Sequence, residues 1–193
     1  MKKKVLVILG HVSDKSFCGA LYKSYANGAK SAGNKVKRWE IGKMDFDPVL
    51  KKGYKEVQEL EPSLISLQKD IKWADHITFV FPTWWASMPA KLKGLLDRMI
   101  IPGFAFNYKS KDSLRWDAHL KGKSASVLIT MDALPIYHRM IVGSPGYRLM
   151  KDTLKFCGIK PVRKSFFGSV KLSDEKKRLA WIKKAHSLGE RLK

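Results

Sequence analysis

Apolar positions along this chain come in two rhythms that alternate from one end to the other. Runs in which apolar residues dominate, broken only by Ser or Thr, stand at residues 5–9, 77–81 and 126–131, the pattern of strands covered on both faces of a parallel sheet. Residues 35–41 alternate imperfectly through Val36, Trp39 and Ile41 and predict an edge strand, and residues 162–170 predict a fifth strand. Between these runs the period lengthens to that of a helix. Residues 16–32 carry Phe17, Ala20, Leu21, Tyr25, Ala26 and Ala29 and close on Gly33-Asn34. Residues 62–73 carry Leu64, Ile65, Leu67 and Ile71 behind Pro62, which suits a first helical turn. A third helix is expected from Met88, through Leu92, Leu95, Leu96 and Met99. A fourth spans 147–157 and stops at Gly158, with Pro161 beyond. A last one follows Ser173 as N-cap, with Asp174 and Glu175 in its first turn. Residues 42–61 and 101–120 read as connections.

Five strands alternating with helices predict a parallel sheet wrapped on both faces by right-handed crossovers, and the economical strand order is 2-1-3-4-5. At 193 residues the whole span 1–193 reads as one domain, with no repeat or low-complexity segment. The run at 5–9 behind Lys2, Lys3 and Lys4 is too short for a signal peptide and predicts a first strand; nothing approaches a membrane span. Cys18 and Cys157 lack metal-ligand spacing and are expected as free thiols in a cytoplasmic protein, with no metal site. Charge changes the picture more. Lys plus Arg less Asp plus Glu is 38 − 17 = 21 positive charges, a field that attracts anions in general. The cations are scattered along the sequence without a zinc-finger or RRM signature, so no specific nucleic-acid reading is expected from them.

Residues 74–106 hold the densest signal. The apolar run there is cut by Pro82 and followed by Trp84 and Trp85, then by a helix start at Ser87-Met88-Pro89. A strand, an aromatic loop and a helix in this order put a ligand site at the strand's carboxyl end, and two adjacent tryptophans are costly to leave in water. The stretch reads F-P-T-W-W-A-S-M-P-A-K-L-K-G-L-L-D-R and then G-F-A-F at 103–106. It resembles the signature of the flavodoxin-like NAD(P)H:quinone oxidoreductases, the DT-diaphorase-like NAD(P)H dehydrogenase family; segments 116–125 and 155–161 also look familial. The resemblance implies a flavodoxin-like α/β fold, a flavin that is FMN or else FAD, NAD(P)H as co-substrate, and a cytoplasmic homodimer whose partner completes the site. It implies two-electron hydride transfer in ping-pong order to a quinone or similar flat acceptor. Two other readings remain: a flavin-bound ancillary regulatory subunit of a potassium efflux transporter, and a nucleic-acid-binding protein driven by charge.

Three loops, after strands one, three and four, are expected on one edge of the sheet. The first, 10–18, leads into a helix amino terminus suited to a phosphate. By resemblance it holds the flavin phosphate through His11, Ser16, Phe17 and Cys18, with Val12 and Cys18 departing from the family's pattern. The second, Pro82, Thr83, Trp84 and Trp85, is placed by resemblance along the isoalloxazine. The third runs through Thr130, Met131 and Asp132 to Tyr137 and His138. Its backbone N–H groups are expected at the flavin's pyrimidine edge, and Asp132 is expected to point into a turn or at a nearby cation. Tyr137 matches a tyrosine implicated in hydride transfer in relatives, and His138 is a catalytic candidate by adjacency. Trp85, Phe104 and Phe106 are expected to line the substrate slot together with Tyr137. Asp97 and Arg98 are expected as structural ion-pair residues, and Met88 and Met99 as packing.

Overall fold

The computed structural model describes residues 2–110 and 113–193. Five parallel strands form the sheet in the order β2-β1-β3-β6-β7, where β1 is Lys4–Leu9, β2 Lys35–Glu40, β3 His76–Pro82, β6 Ser124–Thr130 and β7 Val162–Phe167. This is the flavodoxin-like order expected for the five predicted strands. The two strands numbered between β3 and β6, β4 (Phe106–Tyr108) and β5 (Trp116–Ala118), pair with each other as a small antiparallel ribbon. The ribbon occupies part of the connection expected at 101–120, of which residues 111–112 lie outside the described residues.

Helices cover both faces. Helices α2 (Pro62–Trp73), α3 (Ala90–Met99) and α5 (Pro145–Phe156) close one core over Leu6, Ile8, Ile77, Phe79, Val127 and Ile129. Helices α1 (Phe17–Ser31) and α6 (Glu175–Arg191) close the other over Val5, Val7, Leu9, Val80 and Leu128. Successive residues of one strand thus feed opposite cores, which is why Val5–Leu9 of β1 are all apolar and β3 is buried along its whole length, His76 and Thr78 included. α1 and α6 approach through glycines: a Cβ on Gly28 would stand 2.0 Å from the His186 carbonyl oxygen, and one on Gly189 2.1 Å from that of Tyr25.

Several boundaries move. The last helix is capped by Asp174, whose carboxylate accepts the Lys177 N–H at 2.7 Å. Ser173 instead donates its hydroxyl to the Val170 carbonyl. Strand β7 ends at Phe167 because the chain turns at Gly168-Ser169, where Ser169 has φ 57°. A short helix, α4 (Pro135–Met140), follows β6. α3 begins two residues after Met88, since Pro89 keeps an extended backbone. Asp97 pairs with Lys93, and the buried Arg98 guanidinium grips Glu61 together with the carbonyls of Asp47 and Glu59, pinning the 47–61 connection.

Candidate functional site

The carboxyl ends of β1, β3 and β6 lead into three loops that are stitched together. Loop one wraps around Ser13: His11 Nδ1 accepts the Ser13 N–H at 2.9 Å, and Ser16 Oγ donates to the Ser13 carbonyl at 2.8 Å. Ser16 Oγ also accepts the Gly19 N–H at 3.1 Å and so caps α1. Capping uses one orphan donor of the first turn; the N–H groups of Phe17 and Cys18 have no acceptor among the described residues. With the positive end of the α1 dipole behind them, they form an anion seat.

Loop two is a strained turn. Trp84 and Ser87 exchange both backbone hydrogen bonds at 3.0 Å, and the two central residues, Trp85 and Ala86, have φ 47° and 63°. Positive φ at both central positions is the geometry of a type I′ turn, which glycine and asparagine favour. Placing Trp and Ala there costs on the order of 1 kcal/mol per residue. The strain leaves the N–H groups of Trp85 and Ala86 without acceptors among the described residues and the Trp85 indole fully exposed. Trp84 packs edge-on to His11, ring centroids 5.8 Å apart, and ties loop two to loop one. Thr83 donates its N–H to the Thr130 carbonyl at 2.7 Å and ties loop two to loop three.

Loop three is tied in turn to the segment after β7. Met131 donates to the Phe167 carbonyl and accepts from the Val170 N–H, and Ser169 donates to the Ala133 carbonyl. Asp132 Oδ1 accepts the Lys171 N–H at 2.9 Å. Its carboxylate is thus spent on a turn, one of the two placements expected for it. Residues 168–170, expected as the end of the fifth strand, instead leave the sheet beside loop three; the signal against strand there was Gly168, whose Cβ would stand 2.4 Å from the Pro135 ring.

The structure corrects several expected contacts. Pro82 is a buried strand residue. Cys18 and Thr130 are buried and face each other, Cys18 Sγ lying 3.0 Å from Thr130 Oγ1. Burial pushes the Cys18 thiol up to about 12 against a lowering bond from Thr130, so it is a protonated packing group. The Met131 side chain belongs to the core and its N–H is committed to Phe167. What Cys18 still offers a ligand is its backbone. His138 is 3% exposed, packs edge-on to Phe166 at 6.1 Å, and has its basicity lowered by burial. It is the packing residue on the buried face of α4, while its neighbour Tyr137 is half exposed.

Phe104 and Phe106 do not reach this edge. α3 runs back antiparallel to the strands and delivers the chain at Met99 to the edge where the strands begin. Phe104 there lies under Lys72, 5.5 Å from its Nζ, and Phe106 packs on Phe156 at 4.8 Å; both are core residues. Of the slot residues expected, Trp85 and Tyr137 stay at the carboxyl edge. Among the described residues no group of three or more His, Cys, Asp or Glu side chains could hold a metal, and no helix is long and apolar enough to cross a membrane.

An open α/β sheet whose order reverses between β1 and β3, with unspent backbone donors on the loops after both, defines a switch-point ligand-binding protein. The chain belongs to the family described by the flavodoxin-like fold, which it matches over residues 3–190. It is 31% identical over 188 residues to an uncharacterized NAD(P)H oxidoreductase of Haemophilus influenzae, covering 93% of this chain and 91% of that one. It is 29% identical over 217 residues to ribosyldihydronicotinamide dehydrogenase [quinone] of Mus musculus, covering 96% and 92%. A crystal structure from Streptococcus mutans superposes with a TM-score of 0.83 at 28% identity, covering 97% of this chain and 99% of that one.

Proposed function

We propose that this chain is a flavin-dependent NAD(P)H oxidoreductase that reduces a quinone or a similar flat acceptor. The names of its relatives support the class. One observation of this chain carries the reading: the strained Trp84–Ser87 turn presents two unspent N–H groups and an exposed indole on the same sheet edge as the anion seat of α1. The residues suit such a cofactor, because its phosphate needs donors and its ring needs a flat apolar rim. Phe17 and Cys18 N–H, with His11 and Ser16, would hold the phosphate; Thr83, Trp84 and Trp85 would flank the ring. A bound flavin supplies a two-electron carrier between a nicotinamide hydride donor and an acceptor.

The chain's own residues bind, orient and exclude water. Trp84 and Trp85 offer aromatic faces for flat ligands. The Trp85 and Ala86 N–H groups stand ready to stabilise negative charge on a ligand. Tyr137 is the hydroxyl of loop three that stands free to hold a proton at the acceptor. A single slot visited in turn by nicotinamide and acceptor gives ping-pong order. Leu134, Ile136, Met140 and Ile141 expose apolar surface around Tyr137, and we assign that surface to a second copy in a homodimer. FMN, rather than FAD, and a cytoplasmic location complete the proposal, with 1–193 as one flavin-binding unit.

The test is a visible spectrum of the purified protein before and after anaerobic NADH and NADPH, with the mass of the released cofactor separating FMN from FAD. Flavin absorbance bleached by either nucleotide is the expected result. Bound flavin that neither nucleotide bleaches would point to a regulatory subunit, and no flavin after reconstitution would overturn the reading.

A further inference from the structure

In a parallel sheet every strand begins on the same edge, so the residues just before each strand share one face of the molecule. In this chain three of the five starts carry a cation that lines this face, Lys3 before β1, Lys35 opening β2 and Arg163 near the start of β7, while the central β3 is preceded by Asp75, whose carboxylate accepts the Lys4 N–H. The last turns of α1 and α6 add Lys30 and Arg191 on the same edge. Scattered in sequence, these cations are gathered by topology.

Two clefts run through them. One, about 350 Å³, lies along the open edge of β2 and is lined by Lys30, Lys35 and Arg38 with Asn27 and Asn34. The next, about 300 Å³, crosses the beginning of the sheet and is lined by Lys3, Arg163 and Arg191 with Asn34 and Ser124. Asn34 borders both, so the clefts adjoin at that residue, one on the side of the sheet and the other on its end, a bent basic groove in two parts. None of the six cations has a carboxylate within 4.0 Å among the described residues. Glu190 is the one acid among the described lining residues, and it faces His186 at 3.7 Å. The field of Lys3 and Arg163 reaches inward, adding to burial in lowering the basicity of His76. Helix-dipole compensation accounts for Lys30 and Arg191. It does not account for Lys3, Lys35, Arg38 or Arg163, which sit on strands or just before them.

We propose that this groove binds the phosphodiester backbone of a single-stranded nucleic acid, independently of sequence and apart from the carboxyl-edge site. Its charge matches a continuous polyanion. Its bend selects among polyanions: a duplex, stiff over about 150 base pairs, or a flat anionic bilayer meets one arm of the groove, whereas a flexible strand follows both. Asn27, exposed beside Lys30, can donate to phosphate oxygens without reading bases, while Asn34 is held in the fold by its bonds to Ala29 and Lys3.

The test uses the intact protein and a fluorescein-labelled 20-nucleotide oligouridine followed by anisotropy. The triple variant Lys3→Glu/Lys35→Glu/Arg163→Glu is compared with Lys55→Glu/Lys69→Glu/Lys183→Glu, which changes net charge equally but lies off the groove; neither set touches a first or last helical turn where the dipole acts. The groove variant should bind at least about tenfold more weakly and lose about 2 from the slope of log affinity against log salt, as three lost single-strand contacts imply. The control should stay within about threefold of the parent. Unchanged melting temperatures or higher ones establish that both variants fold. Equal losses in the two variants would reduce the binding to net charge and overturn the proposal. Tighter binding to a duplex of the same length or to phosphatidylserine vesicles would overturn it as well. Inorganic polyphosphate should displace the oligonucleotide; polyphosphate bound where oligouridine is not would reassign the groove.

Discussion

Trp85 combines a left-handed backbone, φ 47°, with a fully exposed side chain. Folding of the chain gains nothing from that indole and bears the cost of its backbone, and the proposed flavin site would give it a use. Trp85→Gly removes the side chain and relieves the turn, and stability should stay within about 1 kcal/mol of the parent or rise. Flavin retention or turnover should fall by about tenfold or more, as expected for lost aromatic stacking of 1–3 kcal/mol. Urea midpoints and cofactor content measured on the same preparation check both halves; parallel losses would make Trp85 a packing residue. His76 shows the opposite economy. It is fully buried, with Nε2 3.1 Å from the Tyr25 hydroxyl and Nδ1 2.8 Å from Ser124 Oγ. Burial first, then Lys3 and Arg163, lowers its pKa from 6.5 to about 3. Above pH 6.5 both folded and unfolded forms are neutral and His76 imposes no pH dependence. Between 6.5 and about 3 the unfolded chain takes up a proton that the folded one refuses. Stability therefore falls with acid through that window, by up to about 1.4 kcal/mol per pH unit. His76→Gln should flatten this limb in urea titrations at pH 7 and pH 4.5, and an unchanged slope would remove His76 as its source.

At the scale of elements, α1 and α6 lock by backbone contact. Gly28→Ala ordinarily gains about 1 kcal/mol of helix propensity, yet its Cβ would meet the His186 carbonyl at 2.0 Å. The helices must part, and the overpacking cost of about 1–3 kcal/mol wins. Asn27→Ala, one residue away and exposed, should instead be neutral or slightly stabilising, and urea midpoints of the pair decide it. The sheet and its helices were legible because their signals are periodic and long: Pro62 marks the first turn of α2, and the apolar runs mark β1, β3 and β6 within two residues. The β4–β5 ribbon and α4 were not, since strands of three residues and a helix of six carry no readable period. The cap of α6 slipped by one residue because Ser173 and Asp174 are both good caps, and only the fold commits Ser173 to Val170. The site was legible as a set of three loops, because strand order alone brings them to one edge. Which side chains face outward was not: His138 is buried between the exposed Tyr137 and Arg139 by its packing on Phe166 of β7, and Cys18 and Thr130 are buried against each other across 112 residues of sequence. Phe104 and Phe106 were misplaced for a topological reason, since α3 carries the chain across the molecule just before them.

The molecule as a whole carries a formal net charge of +21 on 193 residues, and its exposed ion pairs offset little of the mutual repulsion. Repulsion of this kind is screened over about 30 Å at 10 mM salt and about 10 Å at 100 mM. The melting temperature should therefore rise as sodium chloride goes from about 10 to 300 mM, a range in which ionic strength rather than ion-specific effects governs. A flat or falling curve would mean that ion pairs such as Arg98–Glu61 and Lys37–Asp70 outweigh the net charge. The same measurement separates a groove kept for binding from an ordinary basic surface. Reversing three cations lowers the net charge by six wherever they lie, but repulsion is greatest where cations crowd without acids between them. At low salt the Lys3→Glu/Lys35→Glu/Arg163→Glu variant should thus gain more in melting temperature than the Lys55→Glu/Lys69→Glu/Lys183→Glu control, and the difference should vanish by 300 mM, where the Debye length is below about 8 Å. A groove that loses its ligand and gains stability under the same substitutions trades stability for binding, as binding sites do. Equal gains in the two variants would mean that the charge is spread evenly and that this edge is no different from the rest of the surface.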